Sequence, residues 1–153
     1  MKSYRLLVLV ISALLLFQVV GANSLYVTPE ATLDTYLSAC KDADFARADA
    51  CYTKSSRALL YRNLEGRPPR DPSLLKQTYS RMSALNFVTE RVNSKRAILW
   101  PNDKSVPPFF LRIQDSEEEW RIDYHFMSNY INVKEDGWSW KHPKIFKLWK
   151  SRS

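Results

Sequence analysis

The sequence predicts an α+β domain whose helices come first and whose strands follow, and three observations carry that prediction. Apolar residues recur every three or four positions as far as Met82, the spacing of one face of a helix. From Asn86 onward the period falls to two, the spacing of one face of a strand. Thr28-Pro29 and Asp71-Pro72 each place a capping residue before a proline whose missing amide hydrogen costs nothing in the first turn. Helical and extended runs segregated in this way pack helices against one face of a bent antiparallel sheet.

Ahead of the domain stands a segment of another kind. Met1-Lys2-Ser3-Tyr4-Arg5 is short and basic, the chain runs apolar from Leu6 through Phe17, and Val20 and Ala22 are small. That order reads as a cleavable secretory signal over residues 1–22, cut after Ala22. The apolar run falls short of the roughly 20 residues a helix needs to cross a bilayer. The expectation is an exported protein, periplasmic or secreted, with one domain over residues 23–142 and a basic aromatic tail over 143–153. Loss of Lys2 and Arg5 takes the 23 basic side chains to 21, against 16 acidic ones, a modest excess spread along the chain. Only Gly66 and Gly137 remain as glycines after the cut, which excludes glycine-rich phosphate loops.

The first helix opens at Thr28 and presents Leu33, Tyr36, Leu37 and Cys40 on one face. Asp42-Ala43-Asp44 supplies a bend, Asp44 caps a second helix, and Phe45, Ala48, Cys51 and Tyr52 repeat the apolar pattern. Residues 61–71 contain Gly66 and Pro68-Pro69 and form the least regular stretch. A third helix follows Asp71, with Leu74, Leu75, Thr78, Tyr79 and Met82 inward.

Cys40 and Cys51 would stand about 16 Å apart on one continuous helix, beyond the roughly 7 Å limit for bridged α-carbons. With a bend between them a disulfide becomes feasible, would be worth about 3 kcal/mol in the chain-entropy picture, and is the favoured reading for a chain bound for an oxidising compartment. The alternative is two buried thiols packed as small apolar groups. The pair lacks C-x-x-C spacing and a nearby histidine, so neither a redox motif nor a metal site is expected.

In the second half, residues 87–92 and 95–100 flank Asn93-Ser94 as a hairpin, and a strand over 109–114 follows Pro107-Pro108. Residues 115–118 make a charged turn, and the alternation of Trp120, Ile122, Tyr124 and Phe126 with Glu119, Arg121, Asp123 and His125 predicts a strand over 119–126. Residues 130–133 and 138–140 form a last strand pair joined through Lys134-Glu135-Asp136-Gly137.

Thr28-Pro29-Glu30, Tyr36-Leu37, Ala39-Cys40-Lys41 and Asp44-Phe45 with Ala48 resemble the start of small exported proteins of the nuclear-transport-factor-2-like (cystatin-like cone) superfamily, and Glu119-Trp120-Arg121-Ile122 resembles its charged turn and following strand. The resemblance spans about residues 28–140. It implies a cone-like arrangement, N-terminal helices on a curved antiparallel sheet, with a pocket between helices and sheet. In the isomerase branch of that superfamily an aspartate base works with a tyrosine, whose nearest counterpart here is Tyr36.

Within such a pocket Tyr36, Tyr79, Trp100, Phe110 and Trp120 are the candidate ligand contacts, each also explicable as core. The row Arg121, Asp123 and His125 is the catalytic candidate: on one side of a strand, Asp123 would orient His125 as a general base and Arg121 would hold an anion. In the tail, Phe146 and Trp149 interleave with Lys147 and Lys150, a mixture suited to an anionic membrane surface or a partner protein. No cofactor, metal or nucleic acid is expected. A small apolar molecule, a peptide or an envelope protein is the expected partner, a homodimer is admitted, and a binding role ranks ahead of a small lyase or isomerase using Asp123 and His125 and of a purely structural partner protein.

Overall fold

The structure, a computed structural model, describes residues 25–114, 118–134 and 136–142, together with 144, 147 and 149. The expected signal peptide, and Phe146 and Lys150 of the tail, lie outside the described residues. No helix among the described residues is long and apolar enough to cross a membrane.

Four helices precede the sheet. Helix α1 (Pro29–Lys41) is capped by Thr28, whose hydroxyl accepts from the Ala31 amide at 3.0 Å, and α2 (Phe45–Ala50) is capped by Asp44 accepting from Arg47. The expected bend between them forms, with Ala43 at φ +55°. Helix α3 (Lys54–Leu64), capped by Thr53, falls where the periodicity gives only the tail of a second helix and an irregular stretch. Helix α4 (Pro72–Met82) is capped by Asp71, as its sequence predicts.

The sheet runs β1 (Phe87–Asn93), β2 (Arg96–Pro101), β3 (Phe109–Ile113) and β4 (Trp120–Ile122), antiparallel and in sequence order. A seven-residue helix, α5 (Tyr124–Tyr130), leads into a separate two-stranded sheet, β5 (Ile131–Lys134) and β6 (Gly137–Trp140).

The sheet is apolar on both faces. Ala97, Leu99, Phe109, Leu111, Trp120 and Ile122 join Leu33, Tyr36, Cys40, Cys51 and Leu75 from the helices in one core. The alternate residues Ile98 and Phe110 point the other way, into a second core with Phe126, Ile131 and Trp149, flanked by Trp100, Trp138 and Trp140. The expected period of two weakens in β2 and β3, where consecutive residues are buried, because the sheet is covered on both sides. Thr32 fastens α1 to the sheet: its hydroxyl lies 3.0 Å from the Trp120 carbonyl.

Two expectations are corrected here. The protein is α+β, but it is built on two small antiparallel sheets, and neither is curved or closed into a cone. The cone needs long bent strands with an open concave face. Here β4 stops after three residues because Asp123 turns the chain into α5, and α5, the β5–β6 hairpin and Trp149 occupy the face opposite the helices. The second correction is the disulfide: Cys40 and Cys51 are free thiols, both fully buried. Each is taken up by core packing, Cys51 with its sulfur 3.4 Å from the Arg47 carbonyl oxygen and Cys40 beside the Tyr36 hydroxyl. Burial pushes the Cys40 thiol up to about 11 and the Cys51 thiol up to about 12, so both hold their protons at neutral pH.

Candidate functional site: the polar seam around Asp123

The catalytic candidates do not share a strand. The alternation of Trp120 and Ile122 holds through β4, but Asp123 accepts from the Phe126 amide at 3.1 Å and starts α5, which carries His125 on its first turn. A capping aspartate followed by Phe126, Met127 and Tyr130 at helical spacing is the signal for this turn. It competes with an equally good alternation read across the same residues, and the local hydrogen bond wins.

The other oxygen of Asp123 faces Arg112, Oδ2 to Nε at 3.2 Å, and Arg112 in turn donates from Nη2 to Ser55 Oγ at 3.1 Å. Ser56 Oγ accepts from the His125 amide at 2.9 Å and lies 2.6 Å from Thr53 Oγ1. The Thr53 amide donates to the Ile122 carbonyl at 3.0 Å. These bonds form a polar seam that ties the start of α3 to β3, β4 and α5. Arg112, Ser56 and Thr53 were not singled out in the sequence, because their roles arise only where distant segments meet.

Strand register explains why the seam needs its acids. Arg112 sits opposite Arg96 on β2 and Arg121 on β4, so three guanidinium groups occupy facing positions of adjacent strands. Like charges so placed repel. Asp123 offsets Arg112 and Glu119 pairs with Arg121. Arg96 donates to the Trp149 carbonyl at 2.6 Å and lies over its ring. Arg121 is buried, with its guanidinium stacked 3.5 Å from the centre of the Tyr26 ring. The His125 side chain is exposed, and its ring nitrogens lie 3.4 and 3.5 Å from the Asn129 amide nitrogen. In this arrangement Asp123 is engaged as a helix cap and as the partner of an arginine, and the bonds at His125 run to Ser56 and Asn129.

The five aromatic candidates are divided between the two sides of the sheet. Tyr36, Trp120 and the partly buried Tyr79 belong to the helix-side core, whereas Phe110 and Trp100 belong to the other. Tyr36 accepts a hydrogen bond from Tyr52, hydroxyl to hydroxyl, at 3.0 Å, and burial raises the pKa of both phenols above the usual tyrosine range. Trp100 donates from its indole nitrogen to Glu90 at 2.8 Å. Of the tail residues, Lys147 is exposed, but Trp149 is only 6% exposed and packs edge-on against Phe110, 4.9 Å between ring centres.

No group of three or more histidine, cysteine, aspartate or glutamate side chains among the described residues is placed to hold a metal ion. Comparison with known proteins found no matching family model, no matching curated protein and no matching solved structure.

Proposed function

We propose that the protein is an exported binding domain that engages an envelope partner through its outer surface and carries out no catalysis. The observation that supports this reading most is the division of Tyr36, Tyr79, Trp120, Phe110 and Trp100 between cores on opposite faces of the sheet. Aromatic side chains that converge on one cavity serve a ligand; those that interlock with one another serve stability. The engagement of Asp123 with the Phe126 amide and Arg112 supports the non-catalytic half of the reading, since a general base needs its lone pairs free to reach a substrate proton.

An uncharged apolar fluorophore, N-phenyl-1-naphthylamine, separates surface binding from ligand capture. Titrated against the native protein, it is expected to show no saturable site, with emission rising only when denaturant opens the two cores. A one-to-one saturating isotherm on the native protein would reject the surface reading in favour of a small apolar ligand.

A further inference from the structure

We propose that α3 and the loop after it form a docking surface for an anionic lipid bilayer, an inference that rests on the surface-binding reading above and names its partner. A helix on a folded domain ordinarily buries a continuous stripe, but α3 buries a single residue, Ser56. Leu60 and Leu64 follow Ser56 at four-residue steps on the same stripe and should be equally covered. Instead both are only partly buried, as is Leu59, and none of the three joins either apolar core. Tyr61, next to them, is 53% exposed. The helix is held at its first turn by the polar seam and further along by the Tyr61 hydroxyl, which donates to Asp49 of α2 at 3.1 Å.

What surrounds Tyr61 and these leucines is basic. Lys54, Arg57, Arg62 and Arg67 lie in residues 54–67 against one acid, Glu65. Among the described residues, Arg57, Arg62 and Arg67 make no ion pair and no side-chain hydrogen bond. Arg70, by contrast, is held by Asp49 and stacks on Phe45, which fixes the far end of the loop to the domain. The exposed Tyr61 ring and the partly buried leucines beside it, flanked by unpaired arginines, match the two components of interfacial binding: apolar area for the acyl boundary and guanidinium forks for phosphate. An acidic protein partner would predict no binding to phosphatidylglycerol vesicles, which co-sedimentation reads.

The test is co-sedimentation of the protein, purified from an exporting host and with its N-terminus fixed by mass spectrometry, with phosphatidylcholine vesicles that contain or lack phosphatidylglycerol. Binding is expected to the anionic vesicles and to be far weaker to the neutral ones. At about 1 kcal/mol for each basic residue near the surface, the triple variant Arg57→Gln, Arg62→Gln and Arg67→Gln is expected to bind about 100-fold more weakly. Removing the same charge elsewhere, as Lys41→Gln, Lys76→Gln and Arg81→Gln, should leave binding within about twofold of wild type. The double variant Leu60→Ser and Leu64→Ser tests the apolar half, and circular dichroism checks that each variant is folded. The inference is overturned if the wild type ignores anionic vesicles, if it binds neutral ones equally, or if the control triple loses as much as the α3 triple. Absence of vesicle binding removes the lipid partner alone; the surface reading itself fails only on the fluorophore titration.

Discussion

Replacing Phe110 by alanine is expected to destabilise the protein by about 4 kcal/mol, measured by urea denaturation. Phe110 is fully buried at the centre of the second core, with ring centres 4.9 Å from Phe126, 5.7 Å from Trp140 and 4.9 Å from Trp149. Those neighbours come from α5, β6 and the C-terminal segment, three separate elements that cannot all move in to refill the space. The cost is therefore expected to include both the lost transfer energy of the ring and most of the cavity left behind. A loss below about 1 kcal/mol would mean that this face of β3 is open to solvent.

The second large effect is expected at Asp49. Its carboxylate is almost fully buried, accepts two bonds from Arg70 at 2.8 and 2.6 Å and a third from the Tyr61 hydroxyl at 3.1 Å, and sits in the short helix α2. Asp49→Ala leaves the Arg70 guanidinium and the Tyr61 hydroxyl without their acceptor, a loss of about 3 kcal/mol. An arginine keeps its charge even without an acid beside it, so in the variant the Arg70 guanidinium cannot escape by losing its proton; in the native protein its hydrogen bonds to Asp49 raise its pKa above the ordinary value. The Arg47–Asp42 pair supplies the contrast: with both side chains about half exposed, Asp42→Ala is expected to cost no more than about 0.5 kcal/mol. Equal effects at the two sites would show that Asp49 is not enclosed. Arg70 belongs to the stretch with Gly66 and Pro68-Pro69, where the sequence shows no periodicity; its order comes from this one ionic anchor and the stacking on Phe45.

The helices opened by Thr28, Asp44 and Asp71 were legible because a cap is a local event: one side chain, one amide, three residues apart. The β1–β2 hairpin was legible for the same reason, although its turn lies one residue later, at Ser94-Lys95. Helix α3 was hidden because its leucines, partly buried, belong to neither apolar core, and its one buried residue is the polar Ser56. Asp123 misled through competition between levels. Alternation through Phe126 is a genuine strand signal, yet a buried aspartate gains a hydrogen bond from the Phe126 amide as a helix cap and an ion pair with Arg112.

The two cysteines and the cone show a different limit. The bend that a disulfide requires is present, but whether two thiols bond or merely pack depends on directions that spacing does not encode. The shape of the sheet likewise depends on what covers its second face. Trp149 lies far along the chain in a segment whose composition reads as a basic surface tail, and it fills the space beside Phe110 and Phe126. Its burial takes Trp149 out of the expected membrane-contacting set, while Phe146 lies outside the described residues.

A sheet enclosed on both faces, with the C-terminal segment completing the second core, is the structural basis of everything proposed about the surface. The double-mutant cycle of Phe110→Ala and Trp149→Ala measures it most directly, since the edge-on contact of these two rings exists only if the segment is seated there. A coupling energy of about 1 kcal/mol or more between the two sites is the expected result. Strictly additive losses would place Trp149 elsewhere and reopen that face of the sheet to ligands.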